Sequence, residues 1–146
     1  REAGDPSVEA LALRLVAEVQ VQSKCLPAAL SALSDAKGVL QGCGDVRGCS
    51  QVLQLMGTIH ETLGDNRESL RCTLERRSAF KAAGWRDEEA AALLHSATLH
   101  GKCTGAHDAA KAAQDAIALF KELGDKSGEA SAMVALANFQ RFAKGG

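Results

Sequence analysis

The chain has 146 residues, enough for one domain with a real core. Seventeen basic residues against eighteen acidic ones leave almost no net charge, and no long run of one sign, so neither nucleic acid nor a charged membrane surface is implied as a partner. Only 3% of the residues are aromatic, with no Tyr and one Trp, which leaves a core of Ala, Leu, Val and a few Phe and favours closely packed helices.

In chain order, Gly4-Asp5-Pro6-Ser7 opens a first helix, with Asp5 as its cap and Pro6 at the first position. It runs to about Gln22, with Ala10, Leu13, Ala17 and Gln20 on one face. Ser23-Lys24-Cys25 breaks it, and Pro27 suits the first turn of a second helix reaching about Leu40. Gly44-Asp45 opens a third helix from about Arg47 to Thr62, and Gly64-Asp65-Asn66 leads into a fourth that ends at Ala83. A fifth runs from Asp87 to about His100. A looser turn over Gly101-Lys102-Cys103-Thr104-Gly105 then precedes a sixth from about His107 to Leu123. After Gly124-Asp125, a seventh spans Ser127 to about Ala143. No stretch alternates with period two, so strands are not expected. Apolar stretches fall far short of a membrane span.

The helices are copies. Gly124-Asp125-Lys126-Ser127-Gly128-Glu129-Ala130 recurs 40 residues earlier, blurred, at Gly84, again at Gly44 and again at Gly4. The repeats are 4–43, 44–83 and 84–123, with a half repeat at 124–146. One column is large (Leu13, Leu53, Leu93, Met133) and one small (Ala17, Gly57, Ala97, Ala137). In the second helices Ala29, Ser69 and Ala109 are small, whereas Leu40, Phe80 and Phe120 are large. Small residues let helices approach, and one hairpin cannot bury such a face alone. The expected architecture is therefore an all-α solenoid of stacked hairpins.

The paired small columns resemble tetratricopeptide repeats, although the usual period is about 34 residues. The longer unit, with Gly-Asp at the joint and Leu-Gly-Asp at turns, looks like the repeats of cell-polarity and kinesin-light-chain scaffolds. Phe120-Lys121-Glu122-Leu123-Gly124-Asp125 is closest to that wording. HEAT-type repeats share the period, but the small columns put them second. Two departures stand out. Arg76 occupies the position of Ala36 and Ala116, and His60 and His100 stand where an aromatic is usual, so the middle unit is expected to pack less regularly.

The resemblance implies a right-handed superhelix whose first helices line a concave groove for protein partners. The matching positions are Arg14, Leu15 and Glu18, then Gln51, Gln54, Leu55 and Thr58. The third and fourth units add Leu94, His95, Thr98 and Lys102, and Val134, Asn138 and Arg141. Such a groove, apolar along its centre with polar edges, suits an extended or helical peptide. The carboxylate clamp of chaperone co-factors is absent: of Arg14, Gln54, Leu94, Glu18, Thr58 and Thr98, only Arg14 fits its pattern. Phe139 and Phe142 on the last helix are expected to face solvent in part, an open end for a partner or a further repeat.

Catalytic and metal chemistry is poorly supported. His100, Cys103 and His107 have a metal-like spacing over a turn, with His95 as a distant fourth candidate, but a closed zinc site wants four ligands. No phosphate loop exists, and nothing positions a nucleophile beside His95, Glu88 or Glu89, so no cofactor or active site is assigned. Five cysteines exclude a complete disulfide framework. Cys43 and Cys49 flank a short turn, either bridged in an oxidising compartment or reduced and buried. The chain begins with Arg, so it is a processed product or a stretch of something longer. Two readings remain: a non-enzymatic adaptor, or a permanent peripheral subunit of a large organellar complex. The Ala-rich, Tyr-free wording looks like arrays of unicellular algae, which points the second reading to a photosynthetic membrane. Cytoplasm and organelle, plastid or thylakoid included, both fit.

Overall fold

A computed structural model describes residues 5–145. Among these lie seven α-helices and no strand: α1 Pro6–Gln22, α2 Leu26–Gly42, α3 Val46–Thr62, α4 Asn66–Ala83, α5 Arg86–Cys103, α6 Ala106–Leu123 and α7 Lys126–Gly145. First helices start at 6, 46, 86 and 126, and second helices at 26, 66 and 106, so the 40-residue period of the sequence is also a period of the backbone. Each helix packs on the next, and α5 also touches α7 across α6. This is a helical-repeat solenoid.

The joint between units is built by two residues. Gly124, at φ +71°, closes α6 in the left-handed conformation that a Cβ disfavours, and Asp125 N–H then donates to the Phe120 carbonyl at 3.0 Å. Asp125 Oδ1 accepts from Gly128 N–H at 2.9 Å and caps α7. Asp5, Asp45 and Asp65 cap α1, α3 and α4 in the same way. At the Gly84 joint Trp85 replaces the aspartate and gives no side-chain cap. It stacks on Phe80 with ring centroids 6.0 Å apart and carries the Arg47 guanidinium 4.9 Å from its ring. Packing thus stands where a cap stands elsewhere.

The columns occupy the places their sizes demand. Ala17, Gly57 and Ala97 are buried against second helices whose facing residues Ala29, Ser69 and Ala109 are also buried. Leu40 and Phe120 cover the starts of the following first helices. A Cβ at Gly48 would stand 2.9 Å from Leu40 Cδ2 and 2.6 Å from Asp45 Oδ2. Met133 and Ala137 are exposed, because no second helix lies on α7 among the described residues.

One expectation needs correction. The break expected from Gly101 is not there: α5 continues to Cys103, and the turn is Thr104-Gly105, with Gly105 at φ +112°. Gly101 serves close packing instead, since a Cβ on it would stand 3.1 Å from Phe139 Cε1. Phe139 is half-buried in the cluster of Ala97, Ala112 and Ala113 and so faces solvent only in part, whereas Phe142 is 76% exposed. Helix α4 itself runs unbroken past Arg76, whose stem is half-buried and whose guanidinium lies 5.7 Å over the Phe80 ring. Burial pulls the Arg76 pKa down, and its Nε is buried without a partner.

Candidate protein-binding groove

First helices meet one another along one side of the array. Arg14 on α1 donates to Gln51 Oε1 on α3 at 3.0 Å. His95 Nε2 on α5 lies 3.6 Å from Glu61 Oε1 on α3, and Glu61 also accepts the Ser69 hydroxyl at 3.1 Å. These two polar contacts link α1 to α3 and α3 to α5 on that side.

Of the groove residues expected from sequence, three converge. Glu18, Leu55 and Thr58 border a cleft of about 380 Å³ between α1 and α3. Val21 and Leu55 form its walls, and the buried Ala17, Leu33 and Ile59 its floor. Leu15 stands exposed beside it on α1. Thr58 donates its hydroxyl to the Gln54 carbonyl at 3.0 Å. Leu94 is half-buried against the packed cluster of α5, α6 and α7. Asn138 and Arg141 border a second cleft of about 350 Å³ with Phe142, near the end of α7. Gln54, Thr98, Lys102 and Val134 are exposed and are not drawn into either cleft.

Val21, Leu33 and Glu61 were not among the residues expected at the site. Val21 and Glu61 share one repeat position with Gly101, and their differing chemistry was the available signal.

The remaining candidates are dispersed or locally engaged. His100 Nδ1 meets Thr104 Oγ1 at 3.0 Å, Cys103 ends α5, and His107 lies in the first turn of α6. Among the described residues no three His, Cys, Asp or Glu side chains converge as metal ligands. Cys43 and Cys49 are free thiols, pointing to the carbonyls of Leu40 at 3.4 Å and Lys37 at 3.9 Å. Burial raises the Cys49 pKa, with Asp45 and Cys43 adding to the shift, and burial likewise raises that of Cys72. No described helix is long and apolar enough to cross a membrane.

The chain matches no sequence-family model and no curated protein. Its backbone does match solved structures. A signal-transduction ATPase with numerous domains and a tetratricopeptide repeat sensor, from Pyrococcus horikoshii, superposes with a TM-score of 0.81 at 17% identity. That match covers 98% of this chain. The chain is a tetratricopeptide-like helical-repeat array. BtubC (BKLC) from P. vanneervenii superposes with a TM-score of 0.64 at 11% identity, over 100% of this chain and 68% of its own. At these identities the likeness is one of fold. The array spans only 22% of the archaeal ATPase, so what that whole protein does is not carried over.

Proposed function

We propose that this array is a non-enzymatic scaffold that holds a protein or peptide along the face built by its first helices. The observation that carries this reading is the cleft between α1 and α3, where an apolar floor is rimmed by Glu18 and Thr58. Half-buried Leu94 and exposed Leu15 extend apolar surface along the same face. Apolar anchors set among polar edges are the arrangement that peptide-binding grooves use. The word sensor, applied to the repeats of the archaeal ATPase, is consistent with a binding role.

The test uses whatever protein co-purifies with the native chain. Leu55→Glu and Leu94→Glu each place a charge on the face and should abolish its capture, with helical circular dichroism unchanged. Capture surviving in both would sink the groove reading.

A second reading is a permanent subunit of a larger assembly, in the photosynthetic-membrane setting or another. It is favoured by apolar surface at both ends of the solenoid. Val8, Val16 and Val19 are exposed on α1, as are Met133, Val134 and Phe142 on α7. On inner units the equivalents of Met133 and Val19, Leu53 and Ile59, are buried. A subunit of that kind stays with its complex through salt washes that strip a transient adaptor. Release in the first wash would remove this second reading.

A further inference from the structure

The array builds one junction three times, where successive first helices meet above the second helix between them. Three repeat positions face each other there. They hold Val21, Leu55 and Ile59 at the first junction, and Glu61, His95 and Leu99 at the second. At the third they hold Gly101, Ala135 and Phe139.

At two of these junctions the molecule's own side chains reach across. At the second, Leu99 is wholly buried and Glu61 reaches across to His95 while holding the Ser69 hydroxyl. At the third, the Phe139 ring lies on Gly101 and packs against Ala97 and Ala113. The first junction has neither device. Ile59 is shorter than a phenylalanine, and Val21 and Leu55 have no polar bridge to make. What remains is the cleft of about 380 Å³, towards the small end of ligand-sized clefts, which run from about 300 to 1,000 Å³.

We propose that this cleft is the anchor site of the groove. It takes one large apolar side chain, of Leu, Met or Phe size, from an extended peptide that carries a Lys or Arg close by in sequence. The proposal rests on the groove reading given above. At the third junction, where Gly101 leaves room, the equivalent place holds the Phe139 ring, supplied by the chain itself. The charge requirement comes from Glu18 at the rim, which is exposed and has no ion-pair or hydrogen-bond partner among the described residues. The nearest cation on α1, Arg14, is engaged with Gln51. The rim therefore disfavours an acidic peptide and favours a basic neighbour to the anchor.

The experiment uses fluorescent nonapeptides of a Ser/Ala host with Leu, Phe or Ala at the centre and Lys or Glu two residues on. Binding is read by anisotropy, and the contact by methyl NMR shifts of Leu33, Leu55 and Ile59. Leu- and Phe-centred peptides with Lys should bind and move those methyls. An Ala centre should weaken binding by at least about tenfold, the loss typical of truncating an anchor residue. Replacing Lys by Glu should weaken it several-fold. Two variants copy the molecule's own seals, each a double substitution: Val21→Glu with Leu55→His, and Val21→Gly with Ile59→Phe. Either, if folded by circular dichroism, should remove peptide binding. The proposal fails if no peptide moves the three methyls, if Ala-centred peptides bind as well as Leu-centred ones, or if binding survives both seals. If Leu94→Glu loses the native partner while the sealed variants keep it, the groove stands and the anchor falls. Capture kept by all of them brings down both.

Discussion

Phe139 covers Gly101 so closely that a Cβ there would stand 3.1 Å from the ring. The two residues are 38 positions apart, on α5 and α7, and their contact joins the last helix to the unit before it. A glycine within a helix is less stable than alanine by roughly 0.5–1 kcal/mol, so this position favours close approach over helix propensity. Gly101→Val should push the ring from its place on Ala97 and Ala113 and lower stability by about 1–3 kcal/mol, the range for overpacking. Thermal unfolding of the variant checks this, with Phe139→Ala as the companion. If the two losses simply add in the double variant, the residues are not coupled as the contact requires.

Lys24 offers a simpler measurement. Its φ of +61° makes it the non-glycine residue in the left-handed region among those described, at the turn position where the next unit has Gly64. An L-residue there is strained by roughly 1–2 kcal/mol, part of which glycine returns through its freer unfolded chain. Lys24→Gly should therefore stabilise the array by about 0.5–1 kcal/mol. Gly64→Lys should destabilise it by a similar amount, because a Cβ at Gly64 meets nothing within 4 Å and only backbone strain is added. Urea midpoints should move in opposite directions at constant slope.

The contrast between these positions shows what a sequence of this kind discloses. The period and the seven helices were legible because each joint writes its mechanics locally: a left-handed glycine, then a capping aspartate. Apart from the end of α5, expected three residues early, helix ends fell within one or two residues for the same reason. Gly101 was misread as a turn because a glycine that breaks a helix and one that admits a ring look alike in sequence. The residue that decides between them lies 38 positions away. Groove positions were expected from a column shared by the units. The cleft was not, because it arises from a difference among Val21, Glu61 and Gly101 within a column, together with the depth of Leu33 behind them.

Arg76 was visible as a departure, and the structure turns it into a prediction. Its equivalents Ala36 and Ala116 are fully buried, whereas its own long stem lies along α4 with an unpartnered Nε. Leaving a buried donor unmet costs about 1–3 kcal/mol, and the stacking over Phe80 returns about 0.5–1 kcal/mol at a partly exposed site. Arg76→Met keeps the apolar stem and removes the unmet donor. Stability should rise by up to about 1 kcal/mol. A clear loss in chemical denaturation would mean that the guanidinium contributes more than its contacts indicate.

Cys49 and Cys72 link folding to alkaline pH. Burial is the main cause that raises both thiols above the ordinary value near 9, with Asp45 and Cys43 adding at Cys49 and Glu75 and Glu68 at Cys72. The folded state thus resists forming thiolates that the unfolded chain forms readily. Their contribution to stability is complete below the unfolded pKa, near pH 9, and is lost as pH rises through the raised folded values. Unfolding free energy should be insensitive to these thiols from pH 7 to about 8 and should fall above about pH 9. A Cys49→Ala, Cys72→Ala variant should lose less stability over that upper interval than the parent, whatever its packing loss at neutral pH. Alkylation gives an independent readout. At pH 8 iodoacetamide should label exposed Cys25 and Cys43 first, and Cys49 and Cys72 only once the chain is unfolded. Early labelling of Cys49 or Cys72 by mass spectrometry, or identical alkaline slopes for parent and variant, would show that burial does not hold these thiols in the protonated form.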